Sequence, residues 1–257
     1  MCILFVAIEQ HEQYPLIIAA NRDEFVVRPT LPSHFWGASQ QILSGIDQQA
    51  GGTWMGINRG GHLAALTNIR APERLNENAI SRGKLVSQYL QSPTVDYELE
   101  LQHSQFDYKG YNLLFGPWHQ LKVYNNHLNQ TSNLTKGFYG LSNAELNSPW
   151  PKINKGLAQL KAYCSQGELI SHDVKQNILF DLLCDPSQAL DNELPNTGVP
   201  LEWERRLSSI FIQGEEYGTR SSTILKIDTK QQVTWSERSY DNKAKCIAEQ
   251  NYQFKLN

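Results

Sequence analysis

Residues 1–25 read MCILFVAIEQHEQYPLIIAANRDEF: two apolar, β-rich runs, CILFVAIE and PLIIAANRDEF, joined by the polar turn QHEQY. Such a pattern predicts an antiparallel hairpin. In an antiparallel pair the numbers of facing residues sum to a constant, and strand ends near Ile8 and Leu16 make that constant about 24. Cys2 then lies opposite Arg22 or, with a one-residue slip, Asp23. Side chains alternate along a strand, so Asn21 and Asp23 share one face while Arg22 points to the other. Three polar side chains closing an apolar strand are costly to bury without partners, and a purely structural strand has no need of them. The segment Asn21-Arg22-Asp23-Glu24 therefore marks a candidate site beside the Cys2 thiol. That site requires the sulfur to lie within reach of the Asp23 carboxylate.

Working outward, GTWMGIN and HLAALTN read as a second hairpin about the turn RGG. GYNLLFG, HQLKVYNN and GFYGLSNA add three strands, and RSSTILKID with QVTWSERSY makes a last pair around Thr229 to Gln231. Helical signals fall between these groups. Ser81 is placed to cap RGKLVSQYLQ, WPKINKGLAQLKAYC follows Pro149, HDVKQNILFDLLC stops before Pro186, and PLEWERRLSSIF is a further candidate. Antiparallel strand groups separated by helix pairs predict an α+β chain, with sheets covered by helices rather than alternating βαβ units. With no internal repeat and no linker, residues 1–257 read as one domain. The Pro- and Asn-rich stretch Asp185 to Pro200 reads as a long surface loop, a type that often carries function.

Composition removes several classes of function. A net charge of −3, with no basic run, offers no field for nucleic acid or anionic lipid. The apolar run Cys2 to Ile8 is too short to span a membrane and has no cationic lead. Neither a signal peptide nor stable membrane insertion is expected, and the cytoplasm is the expected address. The cysteines Cys2, Cys164, Cys184 and Cys246 are scattered without a CxxC, so disulfides and a thiolate zinc site are not expected. The seven histidines show no ligand spacing, and no metal or other cofactor is called for. Ser81 to Lys84 fits Ser-x-x-Lys, but without the partner motifs of penicillin-binding enzymes it reads as the helix cap. Nothing in the sequence bears on oligomeric state.

Methionine before a small residue is commonly trimmed, which would leave Cys2 with a free α-amine. That amine has a reference pKa of about 7.7–8.0 and a thiol one of about 8.5, so the amine can serve as general base to its own thiol. Asp23 is placed to orient the ammonium form, and a nearby arginine would favour the thiolate. Acyl transfer also needs neutral donors for an oxyanion, and Asn68 in ALTNIRAP and Asn143 in GLSNAELNSPWPK sit at strand ends. Trp36, Trp54, Tyr111, Trp118 and Trp150 are candidates for core, rim or acyl pocket, and the sequence does not distinguish among these.

Eight segments in order, MCI, LIIAANRDEFVVRPT, GGTWMGIN, LTNIR, SRGKLV, GYNLL, GLSNA…SPWPK and RSSTI, resemble the NRDE family, also called the transport and Golgi organisation family. More distantly the layout is similar to N-terminal nucleophile hydrolases of the penicillin V acylase and bile-salt hydrolase group. This resemblance implies a four-layer αββα sandwich of antiparallel sheets with a nucleophile at the first strand's tip. It sets Cys2 on the nucleophile, Asp23 on the carboxylate that holds the amine, Asn68 and Asn143 on the site asparagines, and Arg220 on a late arginine. Asn21 and Arg22 take supporting positions. One departure stands out: the hydrolases carry Arg-Asn-x-Asp, whereas this chain has Ala20-Asn21-Arg22-Asp23, which displaces the arginine by two positions, so that Arg220 or another group must supply the positive charge. The resemblance thus implies hydrolysis of a linear amide or related acyl compound, a small-molecule substrate. It also admits a non-catalytic binding or carrier protein for lipid-like, acyl-thioester or haem-type ligands, since eukaryotic members are linked to lipid and haem handling and to membrane traffic.

Overall fold

The hairpin of residues 2–25 forms as expected: β1 (Cys2–Ile8) pairs with β2 (Leu16–Phe25), Ile8 facing Leu16 and Cys2 facing Arg22. The computed structural model describes residues 2–71, 79–165 and 172–257. The strands that follow among the described residues are β3 (Thr30–Trp36), β4 (Ile42–Asp47), β5 (Met55–Asn58), β6 (His62–Asn68), β7 (Tyr111–Pro117), β8 (Lys122–Asn125) and β9 (Gln130–Asn133). After these come β10 (Gly137–Leu141), β11 (Tyr217–Ile227), β12 (Gln232–Tyr240) and β13 (Cys246–Lys255). The helices are α1 (Gly83–Gln91), α2 (Tyr97–His103), α3 (Pro151–Ser165), α4 (His172–Leu183) and α5 (Leu201–Arg206).

The strands collect into two antiparallel sheets, a six-stranded one in the order β10-β1-β2-β11-β12-β13 and a seven-stranded one in the order β3 to β9. Period-two alternation then sorts the apolar residues into layers. From β1 and β2, Leu4, Val6, Leu16 and Ile18 turn inward and meet Met55, Ile57, Ala65 and Leu114 of the facing sheet. Their neighbours Ile3, Phe5, Ile17 and Ala19 turn outward against Ile153 and Leu160 of α3 and Phe180 and Leu183 of α4. On the far side, Ala64, Leu66 and Leu113 pack against Leu85, Val86 and Tyr89 of α1 and Leu101 of α2. The result is the αββα sandwich, with burial on both faces of each sheet.

Two glycines set distances that matter to the site. A Cβ on Gly52 would lie 2.4 Å from the Gly83 carbonyl carbon, so only glycine lets the loop before β5 press against the start of α1. A Cβ on Gly156 would lie 2.1 Å from the Phe5 ring, so α3 packs close onto β1. Ser81 does not cap α1. The helix begins at Gly83, its N-cap is Arg82, and no side chain caps it. The tight contact with Gly52 draws the preceding residues toward the cavity described below. Residues 184–200 form the expected long connection, broken only by a short turn at Asp191–Glu193. Thr197 ties it down by donating from its amide and its hydroxyl to Glu204 Oε1 at 2.8 and 2.6 Å. No helix among the described residues is long and apolar enough to cross a membrane.

Candidate active site

Cys2 sits half-buried at the tip of β1, bordering a cavity of about 270 Å³ at one end of the sandwich. Its side chain packs against the inner apolar layer, on the same face as Leu4. Arg22, directly across the ladder, also faces inward, and its guanidinium carbon stands 4.4 Å from the centre of the Trp54 ring. Asp23 points to the other face, where Thr219 of β11 donates to its Oδ1 at 2.8 Å. The sulfur and the carboxylate thus leave the sheet on opposite faces, against the expectation that sets them within reach of each other, although both residues line one cavity. Asp23 lies one residue beyond the partner of Cys2, toward the Cys2 backbone nitrogen rather than its sulfur.

Four cationic side chains (Arg22, Arg28, Arg82, Lys109) and three acidic ones (Asp23, Glu24, Asp47) line this cavity. Arg28 is committed to Asp47, reaching its Oδ2 from Nε at 2.9 Å and from Nη2 at 2.6 Å. Arg22 donates to the Thr30 hydroxyl at 3.1 Å and Arg82 to the Gly110 carbonyl at 2.9 Å, both neutral acceptors. Burial pushes the Cys2 thiol up, the charge of Asp23 adds to this, and Arg22 opposes it. Burial also raises the Asp23 carboxyl, against the pull of Lys152 and the Thr219 hydrogen bond.

The remaining expected residues divide. Asn68, at the end of β6, lines the Cys2 cavity. Asn143 lies just past the end of β10, and the Leu4–Leu141 register carries it level with Cys2. It nevertheless lines a second cavity of about 190 Å³, with Arg70 and Trp150. Its Nδ2 donates to the Asn68 backbone carbonyl at 3.0 Å, so the pair forms the partition between the two spaces. Asn21 is structural: its Nδ2 donates to the Leu183 and Ile210 carbonyls at 2.7 and 2.9 Å, and its Oδ1 accepts from Ser222 at 2.6 Å. Arg220 falls on the bulge between Thr219 and Ser221 and is not part of the cavity lining. The arginine on the thiol's own face is Arg22.

The surroundings of Asn143 were not visible in the sequence. Lys152, the second residue of α3, is only 4% exposed; its Nζ donates to Asn143 Oδ1 at 3.3 Å and to the Leu207 carbonyl at 2.9 Å. Burial, reinforced by the charge of Arg70, brings its ammonium down to about 7, with Asp23 and Glu204 opposing. Arg70 in turn forms a buried ion pair with Glu204 of α5 at 2.5 Å. The signal was faint: SPWPK was legible as a motif, but an apolar-periodic helix start does not announce a buried lysine. Among the described residues no group of side chains is arranged to hold a metal ion. As it stands, the arrangement offers a thiol, a carboxylate on the amine side, amide donors and an excess of positive charge.

The sequence profile of the Transport and Golgi organisation 2 family matches residues 1–242. The Transport and Golgi organization 2 homolog of Mus musculus is 35% identical over 277 residues, covering 100% of this chain and 99% of its own. The human homolog is 34% identical over 263 residues, covering 95% and 94%. Among solved structures, a variant of the conjugated bile acid hydrolase from Clostridium perfringens superposes with a TM-score of 0.51 at 9% identity, covering 100% of this chain and 97% of that one. At that identity the likeness is one of fold, and it agrees with the layer order described above. With its profile matched from Met1 to residue 242 and its homologs aligned almost end to end, the chain belongs to the Transport and Golgi organisation 2 family.

Proposed function

We propose that the protein is an N-terminal cysteine hydrolase acting on a linear amide or a related acyl compound, with Cys2 as nucleophile once Met1 is removed. The observation that carries this reading is the position of Cys2, at the tip of the first strand, on a cavity it shares with Asp23, Asn68 and Arg22. The fold shared with a conjugated bile acid hydrolase supports it. In the proposed reaction the freed α-amine takes the thiol proton and the sulfur adds to the substrate carbonyl carbon. The C–N bond then breaks, the proton passes to the leaving amine, and a thioester remains on Cys2. Water adds to that thioester, the C–S bond breaks, and a carboxylic acid departs with the thiol restored. Asp23 holds the amine, and Arg22, across the ladder from Cys2, supplies the positive charge in place of Arg220. The second N–H of Asn143, with Asn68 or backbone amides, stabilises the oxyanion. We read the protein as cytoplasmic, in keeping with its four free cysteines.

A second reading, ligand carriage without turnover, draws on two observations: burial raises the thiol's pKa, and Asn143 already spends an N–H on Asn68. The two separate in one experiment. Intact mass of the purified protein should show loss of Met1, and incubation with a p-nitrophenyl ester should add one acyl group at Cys2 that decays on standing. The Cys2→Ala variant should take up none. Retained Met1 in most molecules, or equal acyl uptake by Cys2→Ala, rules out the hydrolase and leaves the carrier.

A further inference from the structure

An asparagine amide has two ends of nearly equal shape, and its orientation is decided by its hydrogen-bond partners. The Asn143 oxygen receives the Ser142 hydroxyl at 3.0 Å and Lys152 Nζ at 3.3 Å, while the nitrogen donates to the Asn68 carbonyl at 3.0 Å. Ser142 does not settle the direction, because a hydroxyl rotates to donate or accept. A lysine ammonium only donates. We infer that Lys152 is a positioning residue of this site, locking the Asn143 amide with its oxygen toward α3 and its nitrogen toward Asn68, which lines the Cys2 cavity.

This inference rests on the hydrolase reading for its purpose, though its geometry stands apart from it. An ammonium that is 4% exposed, bonded to a side-chain amide and a backbone carbonyl rather than to a carboxylate, is expensive to keep. A methionine of similar length would fill the space without that cost. The groups that face it are Asp23 from β2, Arg70 from the segment after β6, and Glu204 from α5, with the Trp150 ring centre 5.7 Å from Nζ. Arg70 and Glu204 act on it in opposite senses as an ion pair, and Asp23 is the other charge that faces Lys152. One cation therefore serves two parts of the site: it draws electrons toward the Asn143 oxygen, which sharpens the opposite N–H as a donor, and it favours the ionised form of Asp23. Loss of its proton gives the amine a lone pair, so it no longer only donates, and leaves the acceptor-only Asn68 carbonyl as the remaining partner that holds the amide one way round.

The test follows the Asn143 side-chain amide by 15N–1H spectroscopy, its resonance assigned by its loss in Asn143→Asp. In the wild-type protein that resonance should shift with a single midpoint between pH 6 and 9. In Lys152→Met the midpoint should vanish, and in Lys152→Arg the resonance should stay fixed over the same range. Acylation of Cys2 by a p-nitrophenyl ester should fall about 10- to 100-fold in Lys152→Met and be largely restored in Lys152→Arg, a smaller loss than the roughly 100- to 1000-fold of a deleted oxyanion donor because Asn143 itself remains. A wild-type resonance that ignores pH and that Lys152→Met leaves in place overturns the inference. So does a titration that persists in Lys152→Met, or an acylation rate that Lys152→Met leaves unchanged. If the resonance titrates as expected but wild-type Cys2 takes up no acyl group, the positioning stands and the hydrolase reading falls.

Discussion

Asn21, Arg22, Asp23 and Glu24 stand side by side in sequence and do four different jobs. Asn21 pins α4 and the 207–212 segment to the sheet, Arg22 lies flat on Trp54, Asp23 faces Thr219, and Glu24 reaches Arg28 at 3.7 Å on the cavity rim. The division into faces was legible at once, because side-chain period in a strand is fixed. The partners were not: Ser222 and Leu183 lie 201 and 162 residues from Asn21 in sequence. Replacing Asn21 by alanine strands two backbone carbonyls and a hydroxyl in the interior and should cost about 2–4 kcal/mol. Glu24→Gln, which weakens a partly exposed ion pair, should cost under about 1 kcal/mol. Urea midpoints check both, and a fall for Glu24→Gln as large as that for Asn21→Ala would refute this assignment of roles.

At the scale of elements, most strands and helices that bury an apolar face were readable, but the short α2, β4 and the sheet edges were not. β9 reads QTSN and is largely exposed, and β13 alternates between exposed and intermediate positions along CIAEQNYQFK, burying only Phe254. Neither buries enough to leave a pattern, and both are last in their sheets. β3 lies at an edge too and is interrupted by a register shift between Leu31 and His34, beside Pro32. β4 was hidden for a different reason: Gly45 leaves room for the Trp54 ring, whose Cη2 would lie 2.3 Å from a Cβ there. The same logic makes Gly156 a sharp test of how α3 rests on β1. Gly156→Ala gains helix propensity but drives a methyl into the buried Phe5 ring, and the clash should win by about 1–3 kcal/mol. The pair Gly156→Ala with Phe5→Leu should recover part of that loss in thermal melts; no recovery would mean that the helix is held off the sheet by something else.

For the molecule as a whole, the buried lysine leaves a signature in stability against pH. An unfolded lysine keeps its proton to about 10.4, whereas Lys152 in the folded chain gives it up near 7. Between those values the unfolded state binds more protons, so this residue makes the fold more stable as pH rises from about 7 toward 10. Below 7 both states are protonated and the folded chain bears the full cost of the buried charge. Chemical denaturation of wild type and Lys152→Met at pH 6.5, 8 and 9.5 should show the wild type gaining on the variant at each step. A difference that does not vary with pH would place the lysine's titration elsewhere.

The order of the six-stranded sheet also governs how the polypeptide emerges during synthesis. β1 is flanked by β2 and by β10 at residues 137–141, and β2 is completed only by β11 at residues 217–227. The first segments to leave the ribosome are therefore among the last to find all their neighbours. Until residues 217–227 appear, one side of that apolar ribbon stays unzipped, an invitation to holdase chaperones and to sticking between nascent copies. Truncations that stop short of β11 should accumulate as aggregates rather than as a half-sized folded protein, and the thiol's surroundings would form only at the close of translation.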